Sequence, residues 1–198
     1  MKTLNFDSRE EWLNFRLGKI SGSRLKDILV KRGTGKKKGY YELIAERIAV
    51  PADDENPMDR GTRLEEEALA RFEQETKKKV DTSLIVWQSD EDKNIILSPD
   101  GVISEYEAVE VKCLCSASHI EAWLTQEIPS EYKDQALQYF VVNPSLEKLY
   151  FTFYDPRIPA KDFFIIEIGR DEEKVQEYLA YEKSVMQEID EIVLGLTF

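Results

Sequence analysis

The sequence predicts an α/β fold, with a central mixed β-sheet flanked by helices. Three observations carry this. The chain has 198 residues, of which 42% are hydrophobic and 33% charged, enough for one full core under a solvated surface. Helix-like and strand-like stretches follow one another as helices, a run of strands, helices, two strands and a final helix, the order of a sheet sandwiched by helices. No internal repeat or long linker divides the chain, so residues 1–198 are expected to form a single domain.

Each element has a local reason. Trp12, Phe15 and Leu17 recur at near-helical spacing behind Asp7 or Ser8 as candidate N-cap, and Gly18 closes that helix. Ser23 is a candidate cap for a short helix to Val30 carrying Leu25, Ile28 and Leu29. Residues 31–39, rich in Gly and Lys, have loop chemistry, and residues 40–49 read as an amphipathic helix. After an acidic loop from Pro51 to Pro57, a helix is expected over about 59–77, with Leu64, Ala68, Leu69 and Phe72 as its apolar stripe. Leu84–Trp87 and Ile95–Leu97 read as strands, followed by a hairpin around Ser104–Glu107. Ser116–Leu124 and Glu131–Val142 read as helices. Lys148–Tyr154 and Phe163–Ile168 are aromatic and β-branched strands, and Asp171–Leu194 is a long terminal helix.

Composition excludes several classes. No apolar run approaches the ~20 residues of a membrane helix, and the N-terminus has no apolar signal segment, so a cytoplasmic protein is expected. Cys113 and Cys115 form one C-x-C, too few thiolates for a zinc or iron–sulfur site. The net charge of −12 opposes phosphate binding on average. Lysines nevertheless cluster at Lys36–Lys38 and Lys77–Lys79, so a local basic surface on an acidic body is compatible with the sequence.

The chemistry concentrates between Ser98 and Lys112. Asp100 stands at a Pro/Gly break after an apolar run, and Glu110 and Lys112 are two apart in a second one. On a strand those two side chains share a face, and Val109 and Val111 share the other. A hairpin then brings Asp100, Glu110 and Lys112 onto one patch. Two carboxylates on a half-buried face are costly, and Mg²⁺, which takes hard oxygen ligands, relieves the cost, with the lysine beside the attacking water. A surface Glu–Lys pair next to an unrelated turn aspartate accounts for the same short, degenerate spacing.

Further motifs occur in colinear order: Arg16-Leu-Gly-Lys-Ile-Ser-Gly-Ser23, Gly61-Thr-Arg-Leu-Glu65, Ser98-Pro-Asp-Gly, Val109-Glu-Val-Lys-Cys113, Tyr132-Lys-Asp-Gln135-Ala-Leu-Gln138-Tyr and Tyr154-Asp-Pro-Arg157. With them the chain resembles the phage lambda-type exonucleases, or YqaJ-like viral recombinases, of the PD-(D/E)xK nuclease superfamily. The resemblance implies a restriction-endonuclease-like core with Glu65, Asp100, Glu110, Lys112 and Gln135 as catalytic residues. It also implies two Mg²⁺ ions (Mn²⁺ as substitute) held by Asp100, Glu110 and the carbonyl of Val111. Arg16, Ser23, Ser98 and Gln138 would bind the 5′ phosphate and DNA.

The activity implied is Mg²⁺-dependent 5′→3′ digestion of one strand of double-stranded DNA to 5′-mononucleotides. The 3′ overhangs would feed phage recombination by strand annealing. Implied partners are DNA ends, a phage single-strand annealing protein and two further copies of the chain in a homotrimeric ring, with no membrane. The alternatives are another PD-(D/E)xK endonuclease or a catalytically silent DNA-end-binding module. His119, the only histidine, offers little for a Ser-His-Asp mechanism.

Overall fold

A four-stranded mixed sheet positions the site. It runs β4 (Gly101–Val102), β5 (Glu107–Lys112), β6 (Lys148–Tyr154) and β7 (Phe163–Gly169). β5 and β6 are parallel, and both outer pairings are antiparallel. Parallel strands need a long crossover; here α4 (Ser130–Val142) lies within it. The computed structural model describes residues 1–30, 37, 40, 43, 59–114, 119, 122–123, 125–156 and 159–197, with 59–63 and 159 as backbone only.

Alternation along the strands divides the core. Val109 and Val111 of β5 and Tyr150 of β6 pack against Ala68, Leu69 and Phe72 of α3 (Asp59–Thr76). Ala108, Leu149, Phe151 and Phe153 belong to the larger core with Ala136, Tyr139 and Phe140 of α4, which also takes in Val175, Val185, Met186 and Ile189 of α5 (Glu172–Thr197). The expected helix-flanked mixed sheet is therefore present. No helix among the described residues is long and apolar enough to cross a membrane.

Two expectations are corrected. Residues 84–87 and 95–97 do form strands, β2 (Ile85–Gln88) and β3 (Ile96–Leu97), but in a separate antiparallel sheet with β1 (Lys2–Asn5). β1 gave no sequence signal, because Leu4 is its one apolar residue; pairing with β2, Leu4 opposite Val86, makes it a strand. Likewise Ser23 does not cap its helix. Ser21 is the N-cap of α2 (Gly22–Ile28), and Ser23 is an exposed residue of the first turn. α1 (Arg9–Phe15) is capped as expected: Ser8 Oγ accepts from the Glu11 N–H at 3.2 Å. Most of the expected 40–49 helix lies outside the described residues, where Tyr40 and Leu43 are helical and buried; the acidic loop, Lys36, Lys38, Cys115 and Arg157 lie outside them too, as does most of the 116–124 helix.

Two close approaches shape the site. Gly18 takes φ 66° just beyond α1, a backbone state suited to glycine. Gly22 lets α2 lie directly on α4: a Cβ there would meet Leu97 Cδ1 at 2.8 Å and Gln135 Cγ at 3.2 Å.

Candidate active site

The β4–β5 hairpin assembles the site. Gly101 pairs with Val109 and Val102 with Ala108, and the connection closes where Ile103 and Ser104 N–H groups donate to the Glu107 carbonyl. Continuing that register brings Asp100 beside Glu110. Asp100 Oδ2 accepts from the Val111 N–H at 2.7 Å, which locks the loop carboxylate to the strand.

Glu110 is the centre of the arrangement. It is 1% exposed, and three donors converge on it. Oε1 accepts from Lys112 Nζ and from Gln135 Nε2, the latter at 2.5 Å, and Oε2 accepts from the Tyr139 hydroxyl. The alternation of β5 therefore turns Glu110 and Lys112 to one face, as expected, and α4 supplies Gln135 from across. Tyr139 was missed by the sequence reading. Its signal is position: four residues after Gln135, it shares the same helix face. Its hydroxyl also accepts from the Asp100 N–H at 3.3 Å, so one phenol ties the two carboxylates' supports together.

Electrostatics tie in the remaining residues. Burial pushes the Asp100 carboxyl well above the usual carboxylate range; Glu110 and Glu65 add to this, and Lys112 and the Val111 N–H oppose it. Burial alone would lower the Lys112 pKa, but Glu110 and Asp100 outweigh it and hold the ammonium above its ordinary value. Glu65, half-buried on α3, is also raised, by burial and Glu110 against the pull of Lys112. Glu65 thus joins the cluster electrostatically, and with Asp100 it lines a cleft of about 500 Å³ shared with Arg9 and Trp12. Glu66 faces solvent. Glu67 does not: it accepts from the Tyr154 hydroxyl of β6 at 3.2 Å.

The predicted phosphate-binding residues divide. Arg16, at the C-cap of α1, comes within the field of Asp100 and Glu110, while desolvation lowers its pKa. Its Nε and the Ser98 hydroxyl are buried without hydrogen-bond partners among the described residues. Buried polar groups are normally satisfied, and these two are not. Ser23 is exposed, its hydroxyl 3.4 Å from that of Ser21. Gln138 is not brought to the cluster. It is 0% exposed, and its Nε2 donates to Glu182 Oε2 of α5 at 3.2 Å. The side chain is enclosed between α4 and α5 in this structure, away from Glu110.

The donor set suits a hard divalent cation, because Asp100, Glu110 and Glu65 raise one another's burden of negative charge in a dry site. No three Asp, Glu, His or Cys side chains among the described residues stand close enough to ligate one ion. The set that fits is accordingly two carboxylates, Asp100 and Glu110, completed by water and substrate oxygen. The bonds to Glu110 Oε1 would rearrange on binding, since Lys112 and Gln135 occupy it.

A model of the YqaJ-like viral recombinase domain matches residues 11–144. The chain belongs to this family. The match runs from within α1 to just past the end of α4 and takes in Arg16, Glu65, Asp100, Glu110, Lys112, Gln135 and Tyr139. An alkaline exonuclease (LHK-Exo) from Laribacter hongkongensis superposes with a TM-score of 0.84 at 27% identity, covering 95% of this chain and 96% of that one. The same enzyme in complex with dAMP gives 0.83 at 28% identity, over 94% of this chain and 95% of that one. A phage-related exonuclease from Haemophilus somnus 129PT shares the fold at 13% identity, with a TM-score of 0.65 over 91% and 96% of the two chains. Among curated proteins no match is found. The fold of this family member is the PD-(D/E)xK nuclease fold.

Proposed function

We propose that this YqaJ-family protein is a Mg²⁺-dependent exonuclease. It digests one strand of duplex DNA 5′→3′, releases 5′-mononucleotides and leaves 3′ overhangs for recombination by strand annealing. Family membership and the likeness to an alkaline exonuclease support a deoxyribonuclease. The observation that carries the catalytic reading is the convergence of Lys112, Gln135 and Tyr139 on a buried Glu110 beside Asp100. A solvated surface pair has no need of three donors. The relative's complex with dAMP supports a mononucleotide product.

Asp100 and Glu110 would hold Mg²⁺, with the Val111 carbonyl as a further oxygen and a second ion or Mn²⁺ accommodated by the same hard donors. When bound, the cation neutralises phosphate charge and makes water a better nucleophile. Lys112 orients the attacking water and Gln135 keeps that water and Lys112 in register. Glu65, across the cleft, offers a carboxylate to take the proton. The 3′ oxygen of the terminal nucleotide leaves in line, so the scissile phosphate becomes the new 5′ phosphate of the shortened strand, and the released nucleotide keeps the 5′ phosphate it already carried.

Polarity rests on Arg16 and Ser98. Their orphaned donors supply the fork and hydroxyl that a terminal 5′ phosphate accepts, and Ser23 is proposed as a further hydroxyl. Two further copies in a ring and an annealing protein that takes the overhang complete the proposal.

The test is digestion of a linear duplex with Mg²⁺, each strand labelled separately at its 5′ and 3′ ends, beside a closed circle. Early release of 5′ label as mononucleotide with an intact circle is expected. Internal cuts in the circle would overturn the exonuclease, and no product from either would leave only an end-binding protein. Sedimentation tests the ring independently, a stable monomer being the result against it.

A further inference from the structure

Arg16 presents a problem that its neighbourhood solves. A guanidinium within the field of two carboxylates ordinarily closes onto them as a bidentate ion pair. Arg16 Nε instead has no partner among the described residues, and the Arg16 Cζ lies 4.4 Å from the centroid of the Trp12 ring. Trp12 is itself fixed: its Nε1–H donates to the Ile85 carbonyl of β2 at 3.1 Å, anchoring α1 to the second sheet. Arg9 Cζ stands 5.9 Å from the same ring. Arg9, Trp12 and Arg16 recur at helical spacing on α1, so one face presents an indole between two cations.

We propose that Trp12 is a positioning residue of the 5′-phosphate pocket: stacking on its indole holds the Arg16 guanidinium off Asp100 and Glu110 and leaves its N–H groups available to phosphate. The inference rests on the reading of Arg16 as the phosphate contact. It assigns to the ring a role that an ionic partner could not fill. A carboxylate would neutralise the cation and compete with the phosphate, whereas a π face holds it and leaves its in-plane donors free. The bond to Ile85 sets the plane of the ring, and so the direction of the fork.

The test compares 5′-phosphorylated with 5′-hydroxyl duplex ends in wild type, Arg16→Ala, Trp12→Leu and Trp12→Phe. The readout is the ratio of kcat/KM on the two ends, taken within each variant so that any loss of folded protein cancels. Cation–π contacts imply a fall of about 2- to 30-fold in that ratio for Trp12→Leu, expressed mainly as a higher KM on phosphorylated ends. Trp12→Phe, which keeps a π face, should recover most of it. Equal losses on both ends, or a Phe variant as poor as Leu, would overturn the stack. An unchanged ratio in Trp12→Leu with a collapsed ratio in Arg16→Ala would overturn it too, leaving the phosphate contact intact. An unchanged ratio in Arg16→Ala removes the phosphate reading itself and the inference with it.

Discussion

Two carboxylates of this protein are buried against the same helix, and they are treated differently. Glu110 meets three donors, one of them a lysine. Glu182, 0% exposed on α5, meets one, Gln138. Its Oε1 and the Gln138 Oε1 both lack partners among the described residues. Burial pushes the Glu182 carboxyl up to about 8, with only the Gln138 bond opposing it. At neutral pH Glu182 therefore carries its proton, and that proton can bridge the two orphaned oxygens to close an acid–amide pair. The comparison separates two ways of burying an acid. Convergent donors and a cation keep a carboxylate ready for chemistry, whereas protonation makes it a core residue. Residues 135, 138 and 139 of α4 serve both, the first and last at the site and the middle one in the core.

The largest effect that tests this contrast is at the active pole. Lys112→Ala should lower turnover on linear duplex by at least about 100-fold, since it removes a group that acts in the transition state. Activity within tenfold of wild type would show the lysine to be a surface partner. Next, Tyr139→Phe deletes one hydroxyl and leaves Glu110 Oε2 and the Asp100 N–H short of a partner. A buried group left unsatisfied costs about 1–3 kcal/mol, read by urea unfolding, together with a fall in kcat. An unchanged midpoint and rate would mean that water replaces the phenol.

At the core pole the prediction concerns pH. The folded Glu182 pKa of about 8 lies above its ordinary value of 4.5. The stability it contributes is therefore full below about 4.5 and is lost as pH rises through about 8. Glu182→Gln cannot ionise, so its melting temperature should exceed that of wild type above pH 8, by ~2–4 °C for each kcal/mol recovered. Parallel melting curves from pH 5 to 9 would sink the acid–amide pair. The smallest effect is expected for Gly22→Ala. At the first residue of α2 alanine gains less than the ~1 kcal/mol it gains over glycine in a helix interior, while the contacts with Leu97 and Gln135 push the other way. The melting temperature should move little, and activity should fall through the displaced Gln135. Full activity would show that Leu97 alone gives way.

Much of the site could be read along the chain. Glu65 enters only through the colinear motifs, whereas Asp100, Glu110 and Lys112 are placed by alternation and a Pro/Gly break. These are short-range periodicities that the backbone imposes on any sequence. Gln135 and Gln138 shared a helix face by the same logic, but spacing could not tell which would meet Glu110. That was settled by what lay opposite each, β5 for one and α5 for the other. Tyr139 has no role legible in the sequence, because a hydroxyl finds its partner only once the helix is docked.

The sequence by itself determined the helix-flanked mixed sheet and the strand that presents Glu110 and Lys112, because hydrophobic period and turn chemistry are local. Only the tertiary structure decided that Lys2–Asn5 is a strand, that Arg16 rests on Trp12 beside the carboxylates, and that Glu182 is a neutral acid. Each of these depends on a partner distant in sequence or on the exclusion of water, and neither is written in the residues adjacent to it.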